Sequence, residues 1–190
     1  MATTKGAPSK ALTEADLRAV CALWTEAFPT APDRDRYAEA LARRARPDDD
    51  VLADEWIHSI VDADGNALAA ARTFVRVIRV DGEPRRVLAL AHVASSPRAR
   101  GAGHGAAVVR LAFQRLRSGG GGDDLHESIF CSGVPAFYLK LGATQLPETL
   151  KLSYPSGAKP FHDPAMLRYA LETAAPLPAG AVVDVNGDGW

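Results

Sequence analysis

The sequence predicts a mixed α/β sandwich of the α+β kind, a mostly antiparallel sheet flanked by helices. Three observations carry that expectation. Two blocks at helical spacing precede the first strand signals. Three β-branched runs then follow one another through short turns, as antiparallel hairpins do. A strand-turn-helix and a strand-helix-strand finish the pattern. With 190 residues, 47% of them hydrophobic, the chain can bury a proper core as one domain, expected over 13–190.

Taken in order, residues 1–12 read as a flexible tail. Thr13-Glu14-Ala15-Asp16 has a hydroxyl followed three residues later by an acid, much as in a capping box. Leu17, Val20, Cys21, Trp24 and Phe28 then recur at helical spacing until Pro29 and Pro32 interrupt. A second helix is expected from Asp33 to Arg46, ended by Pro47-Asp48-Asp49-Asp50, a solvated helix end. Trp56–Val61 is β-branched and aromatic, and Asp64-Gly65-Asn66 makes a turn. Thr73–Val80 reads as a long strand stopped by Asp81-Gly82, a hairpin signal, and Val87–Ser95 returns. A helix from Gly103 to Leu116 buries Val108, Val109, Leu111, Ala112 and Leu116, and the glycine run 119–122 reads as a mobile loop. Glu127–Cys131 is a strand, Pro135–Leu141 a short helix and Leu150–Tyr154 a further strand.

Composition excludes several classes. A net charge of −1 argues against a nucleic-acid partner, which favours a basic excess. No apolar run reaches the length of a membrane span, and the first residues lack the apolar core of a signal peptide, so a cytoplasmic location is expected. Cys21 and Cys131 are too few for a disulfide framework or a zinc site and read as packing residues, so no metal is expected.

The most informative stretch runs Val93-Ala94-Ser95-Ser96-Pro97-Arg98-Ala99-Arg100-Gly101-Ala102-Gly103-His104-Gly105. A strand that breaks into an Arg/Gly-rich turn and opens a helix makes an anion site from bare backbone N–H groups and the helix dipole. A P-loop would need Lys-Ser/Thr after the last glycine, but Ala106-Ala107 follow Gly105. Gly101-x-Gly103-x-x-Ala106 formally fits a dinucleotide fingerprint, yet the available acids, Asp123 and Asp124, precede the next strand rather than ending it. A nicotinamide-dependent oxidoreductase therefore stays open as a lesser alternative.

The turn, preceded by its strand, resembles the acyl-CoA-binding signature of the GNAT N-acyltransferase superfamily. Ala136-Phe137-Tyr138-Leu139-Lys140-Leu141-Gly142-Ala143 is similar to that family's second motif, in the right order. The resemblance implies a GNAT-like fold with a splayed strand pair that takes acyl-CoA, and acetyl-CoA as co-substrate. It implies cofactor contacts from Val93, Ala94 and Ser95 along the strand edge, and from Arg98, Arg100, Gly101, Ala102, Gly103, His104 and Gly105 in the turn. Ser132 and Tyr138 complete that set. Tyr138 matches the general acid that protonates the departing thiolate. A base is harder to assign, because the family's usual positions hold Ala89 and Ala91. His92 is near, but strand side chains alternate faces, so only a bulge would re-aim it.

The ending Asp184-Val185-Asn186-Gly187-Asp188-Gly189-Trp190 resembles the acid-x-Trp close of aminoglycoside 2′-N-acetyltransferases. That implies substrate contacts from Asp188 and Trp190. The expected activity is acetyl transfer to a primary amine of a small molecule by direct attack in a ternary complex, and the family implies a homodimer. The rival is a non-catalytic acyl-CoA-binding or sensory domain that kept the pocket and lost the base.

Overall fold

Thr13 opens the first helix by accepting a hydrogen bond from Asp16 N at 3.1 Å, while its hydroxyl donates to the Asp16 carboxylate at 2.8 Å. That cap fixes α1 at Glu14–Ala27, with Leu17, Val20, Cys21, Leu23 and Trp24 buried. The structure, a computed structural model, describes residues 2–29, 35–44, 54–116, 125–154 and 159–185. It is a mixed α/β fold with a mostly antiparallel sheet and flanking helices, and its chain divides into two compact units.

The first unit, Met1–Phe74 with Ala91–Ala112, holds β1 (Thr3–Pro8), α1, α2 (Arg36–Arg44), β2 (Trp56–Val61) and the start of β3 (Ala67–Val80). The end of β4 (Glu83–Ser95) and α3 (His104–Phe113) as far as Ala112 complete it. Leu12, Leu17, Val20, Leu23, Trp24, Ile57, Ala70 and Ala94 form its core cluster. β1 occupies the stretch expected to be a flexible tail. It pairs antiparallel with β2 from Thr3↔Val61 to Pro8↔Trp56, and Lys5 Nζ reaches Asp16 at 2.8 Å. Main-chain pairing rather than apolar burial holds this strand, so no hydrophobic alternation announces it. Gly6 allows the close approach: a Cβ there would lie 2.9 Å from His58 Nδ1.

β2 pairs antiparallel with β3, which begins at Ala67, six residues before the expected Thr73. Ala69, Ala70 and Ala71 are fully buried, and alanine carries little strand propensity to reveal the extension. Inside this ladder His58 and Thr73 share a 3.0 Å side-chain hydrogen bond.

The second unit, Val75–Leu90 with Phe113–Trp190, contains the rest of β3 and β4, then β5 (Glu127–Cys131), α4 (Pro135–Leu139) and β6 (Thr144–Gln145). β7 (Lys151–Ser153), β8 (Met166–Ala170) and β9 (Val182–Asp184) follow. Asp81 and Gly82 take left-handed backbone, φ 51° and 89°, and turn β3 back into β4 as the Asp-Gly pair predicts. β4 and β5 pair in parallel at Leu88↔Ser128 and Ala89↔Ile129, and β5 pairs antiparallel with β8 across all five of its residues. The short strands β6, β8 and β9 were not legible in the sequence. Cys21 is buried as expected, whereas Cys131 at the end of β5 is exposed and does not pack.

Glu127, 1% exposed, is ion-paired to both Arg85 and Arg168, the latter at 2.5 Å. Both guanidiniums also donate to Ala175 O, so one buried carboxylate organises two strands and the 171–178 segment. No helix among the described residues is long and apolar enough to cross a membrane.

Candidate functional site

In the first unit the last residues of β4 alternate as a strand should. Ala94 is buried in the core cluster, while Val93 and Ser95 are half-buried. Ser96 then stops the strand. Its N–H donates to Leu68 O at 2.9 Å, and its Oγ accepts from Arg98 N at 3.3 Å, capping a tight 3₁₀ turn at Pro97–Ala99. Arg98 and Arg100 project as exposed cations.

Gly101 and Gly103 follow with φ 82° and 79°, a backbone that L side chains adopt only with strain. A Cβ at either position would meet nothing within 4 Å, so it is the chain direction and not crowding that requires glycine. Ala107 N donates to Gly103 O at 3.0 Å, the first bond of α3. The N–H groups of His104, Gly105 and Ala106 therefore have no acceptor within their own helix. Three such amides at the positive end of a ten-residue helix, with two arginines beside them, suit a multiply charged anion such as a diphosphate. The residues expected to hold the cofactor through this turn are thus brought together.

His92 departs from the alternation expected of it. Its φ of 50° is left-handed, the only such value within β4 among the described residues. Trp24 Nε1 donates to His92 O at 2.6 Å. The imidazole lies 5.3 Å from the Trp24 ring and 5.9 Å, edge-on, from the Phe28 ring. The left-handed residue interrupts the strand's alternation and seats the imidazole against Trp24 and Phe28. Trp24 and Phe28 were read only as an apolar helix face. Their second task, holding His92, leaves no trace in spacing alone.

The second unit presents Tyr138 on α4. Val134 precedes the helix and Pro135 occupies its first turn, where a missing N–H costs nothing. Tyr138 is 5% exposed, with Phe130 at 4.8 Å and Phe137 at 4.9 Å, edge-on. Burial pushes its phenol up to about 12, opposed by a hydrogen bond with Ser132. Ser132 is itself fixed: its N–H donates to Ala165 O at 2.9 Å and its Oγ accepts from Val134 N at 3.1 Å. Gly142, φ 94°, ends the helix while Ala143 N donates back to Tyr138 O at 3.1 Å. Asp188 and Trp190 lie outside the described residues, as do Asp48–Asp50, Asp123, Asp124 and the glycine run at 119–122.

Residues 9–144 match the family model described as the acetyltransferase (GNAT) domain, a span that includes the glycine turn, His92 and Tyr138. The chain belongs to the GNAT acetyltransferase family. As a GNAT protein it is an acyl-CoA-dependent acyltransferase whose co-substrate is acetyl-CoA, and Gly101-x-Gly103-x-x-Ala106 falls within that match rather than marking a dinucleotide fold. No curated protein matches the sequence.

Solved structures share the GNAT fold. The N-acetyltransferase YhbS from Escherichia coli, in complex with CoA, aligns with a TM-score of 0.66 at 19% identity, over 97% of this chain and 89% of that one. Glucosamine-6-phosphate N-acetyltransferase from Arabidopsis thaliana aligns with a TM-score of 0.55 at 19% identity, over 76% and 94%. A probable N-acyltransferase from Enterococcus faecalis gives 0.57 at 16% identity over 76% of this chain. This chain spans only a third of that protein's length, 33%.

Proposed function

We propose that this GNAT protein transfers an acetyl group from acetyl-CoA to a primary amine of a small molecule, by direct attack in a ternary complex. The observation that carries the reading is the turn at the end of β4, where two left-handed glycines precede three helix-end amides. Bound acetyl-CoA supplies a thioester-activated acetyl group. The amides of 101–105 hold its diphosphate, Arg98 and Arg100 add charge, and His104 adds a further donor. The main chain of Val93, Ala94 and Ser95 holds the pantetheine arm by strand-like hydrogen bonds.

The amine nitrogen forms a bond to the carbonyl carbon as the carbon–sulfur bond breaks. Tyr138 gives its phenolic proton to the departing sulfur, and His92 takes the proton the amine must lose. Asp188 and Trp190 contribute contacts to the acceptor, the Asp188 carboxylate attracting a cationic amine.

Thermal shift tests the cofactor. Acetyl-CoA and CoA are expected to stabilise the protein and NAD to leave it unchanged. Gly103→Val forces a branched side chain into a left-handed backbone and is expected to weaken acetyl-CoA binding by about tenfold. An undiminished affinity would remove the turn from the reading. For His92, turnover is the measure: His92→Gln is expected to lower kcat/KM by about 10²-fold, and undiminished turnover would remove His92 from the reading.

Ala89 and Ala91 favour a second reading, a binding module that retains acyl-CoA without turnover. CoA-dependent stabilisation with no thiol release across a panel of amines would select it.

A further inference from the structure

Arg36, the first residue of α2, is held in place without being neutralised. Its side chain donates from Nη2 to Phe28 O at 3.4 Å, and its guanidinium lies over the Phe28 ring, 5.6 Å from the centre. Cys21 Sγ donates to Arg36 O at 3.7 Å and ties the main chain there to α1. Two other arginines of the first unit already have carboxylates: Arg18 pairs with Glu14 at 2.7 Å, and Arg72 with Glu55. Asp35, the neighbour of Arg36, turns Oδ1 instead to the amides of Tyr37 and Ala38, at 3.0 and 2.9 Å. Among the described residues no carboxylate pairs with Arg36. A half-buried charge without a counter-ion costs stability, and a bound anion offsets that cost.

Two observations place this cation beside a ligand. A cavity of about 320 Å³ between α1 and α2 has Arg36 on its wall, together with Cys21, Thr25 and Tyr37, and that size suits a small molecule. Phe28, whose face carries Arg36, also meets His92 edge-on, with 5.9 Å between ring centres. One phenyl ring therefore separates the guanidinium from the imidazole.

We propose that the acceptor is an amine that also carries an anionic group, a carboxylate or a phosphate, and that Arg36 selects it by pairing with that group. The inference rests on the reading of His92 as the base that receives the amine's proton, and it narrows the acceptor to molecules with opposite charges a few bonds apart. With one N–H on Phe28 O, the remaining donors of the planar fork suit two oxygens of one anion.

Calorimetry on the CoA-saturated protein reads this site without turnover. The probes are short ω-amino acids and their primary amides, and ω-aminoalkyl phosphates with the parent amino alcohols. At least one charged probe is expected to bind about tenfold more tightly than its neutral counterpart, and the comparison of acids with phosphates names the anion. Arg36→Gln is expected to erase that difference, with the thermal shift given by CoA showing that the variant is folded. Arg36→Lys, which keeps the charge and loses the fork, is expected to retain part of it. With acetyl-CoA, kcat/KM for the same probes should follow the same order.

Equal affinities for charged and neutral probes, or no binding of either, overturn the proposal. A tenfold preference that survives Arg36→Gln also overturns it. Failure of the underlying reading looks different: an Arg36-dependent preference in binding, with no thiol released by any probe, keeps the anion site and removes acetyl transfer.

Discussion

Replacing Tyr138 with phenylalanine is expected to lower kcat for acetyl transfer about 10³-fold, within the range that a positioned general acid supplies. The KM for acetyl-CoA should barely change, because the lost proton matters only as the carbon–sulfur bond breaks. Thiol release followed with a dye, across amine and acetyl-CoA concentrations, separates the two. Retained turnover would remove Tyr138 from the mechanism. The same variant should alter alkaline stability. The folded phenol titrates at about 12 against a reference of 10.0. Between those values the native chain keeps a proton that the unfolded chain has lost. Stability present below pH 10 therefore declines as pH rises toward 12, by about 3 kcal/mol over the two units. Urea unfolding of the variant should lack that decline.

Glu127→Ala is expected to cost about 3–5 kcal/mol, because it leaves two guanidiniums partly buried and facing each other without their carboxylate. The side chains of Arg85 and Arg168 are only 20% and 17% exposed, so solvent screens that repulsion poorly. Both also donate to Ala175 O, so the loss should spread to the 171–178 segment. Chemical denaturation measures the total, and hydrogen exchange at the amides of 171–178 measures the spread. A change below 1 kcal/mol would mean that the charges relax outward. Glu127→Gln, which keeps the shape and hydrogen-bonding oxygen, should fall between the variant and the wild type.

Elements with strong local chemistry were legible in the sequence. Thr13 and Asp16 form the cap that their spacing suggests, Asp81-Gly82 makes its hairpin turn, and Trp56–Val61 and Glu127–Cys131 are strands with those bounds. The glycine turn was legible for the same reason, since bare amides before an apolar helix have few other uses. Elements held by distant partners were not. β1 is fixed by pairing to β2, and β8 by β5 and β6, with no local pattern to reveal either. At the site, the identity of His92 was visible but its conformation was not, since a left-handed backbone in a strand depends on Trp24, 68 residues away in sequence.

The family match begins at residue 9, immediately beyond β1. A protein trimmed to that match would expose the Trp56–Val61 backbone as a raw rim, with its amides and carbonyls open to any passing strand. Thr3–Pro8 thus act as a hem: they contribute little to the core but keep a greasy ribbon from sticking to its own kind.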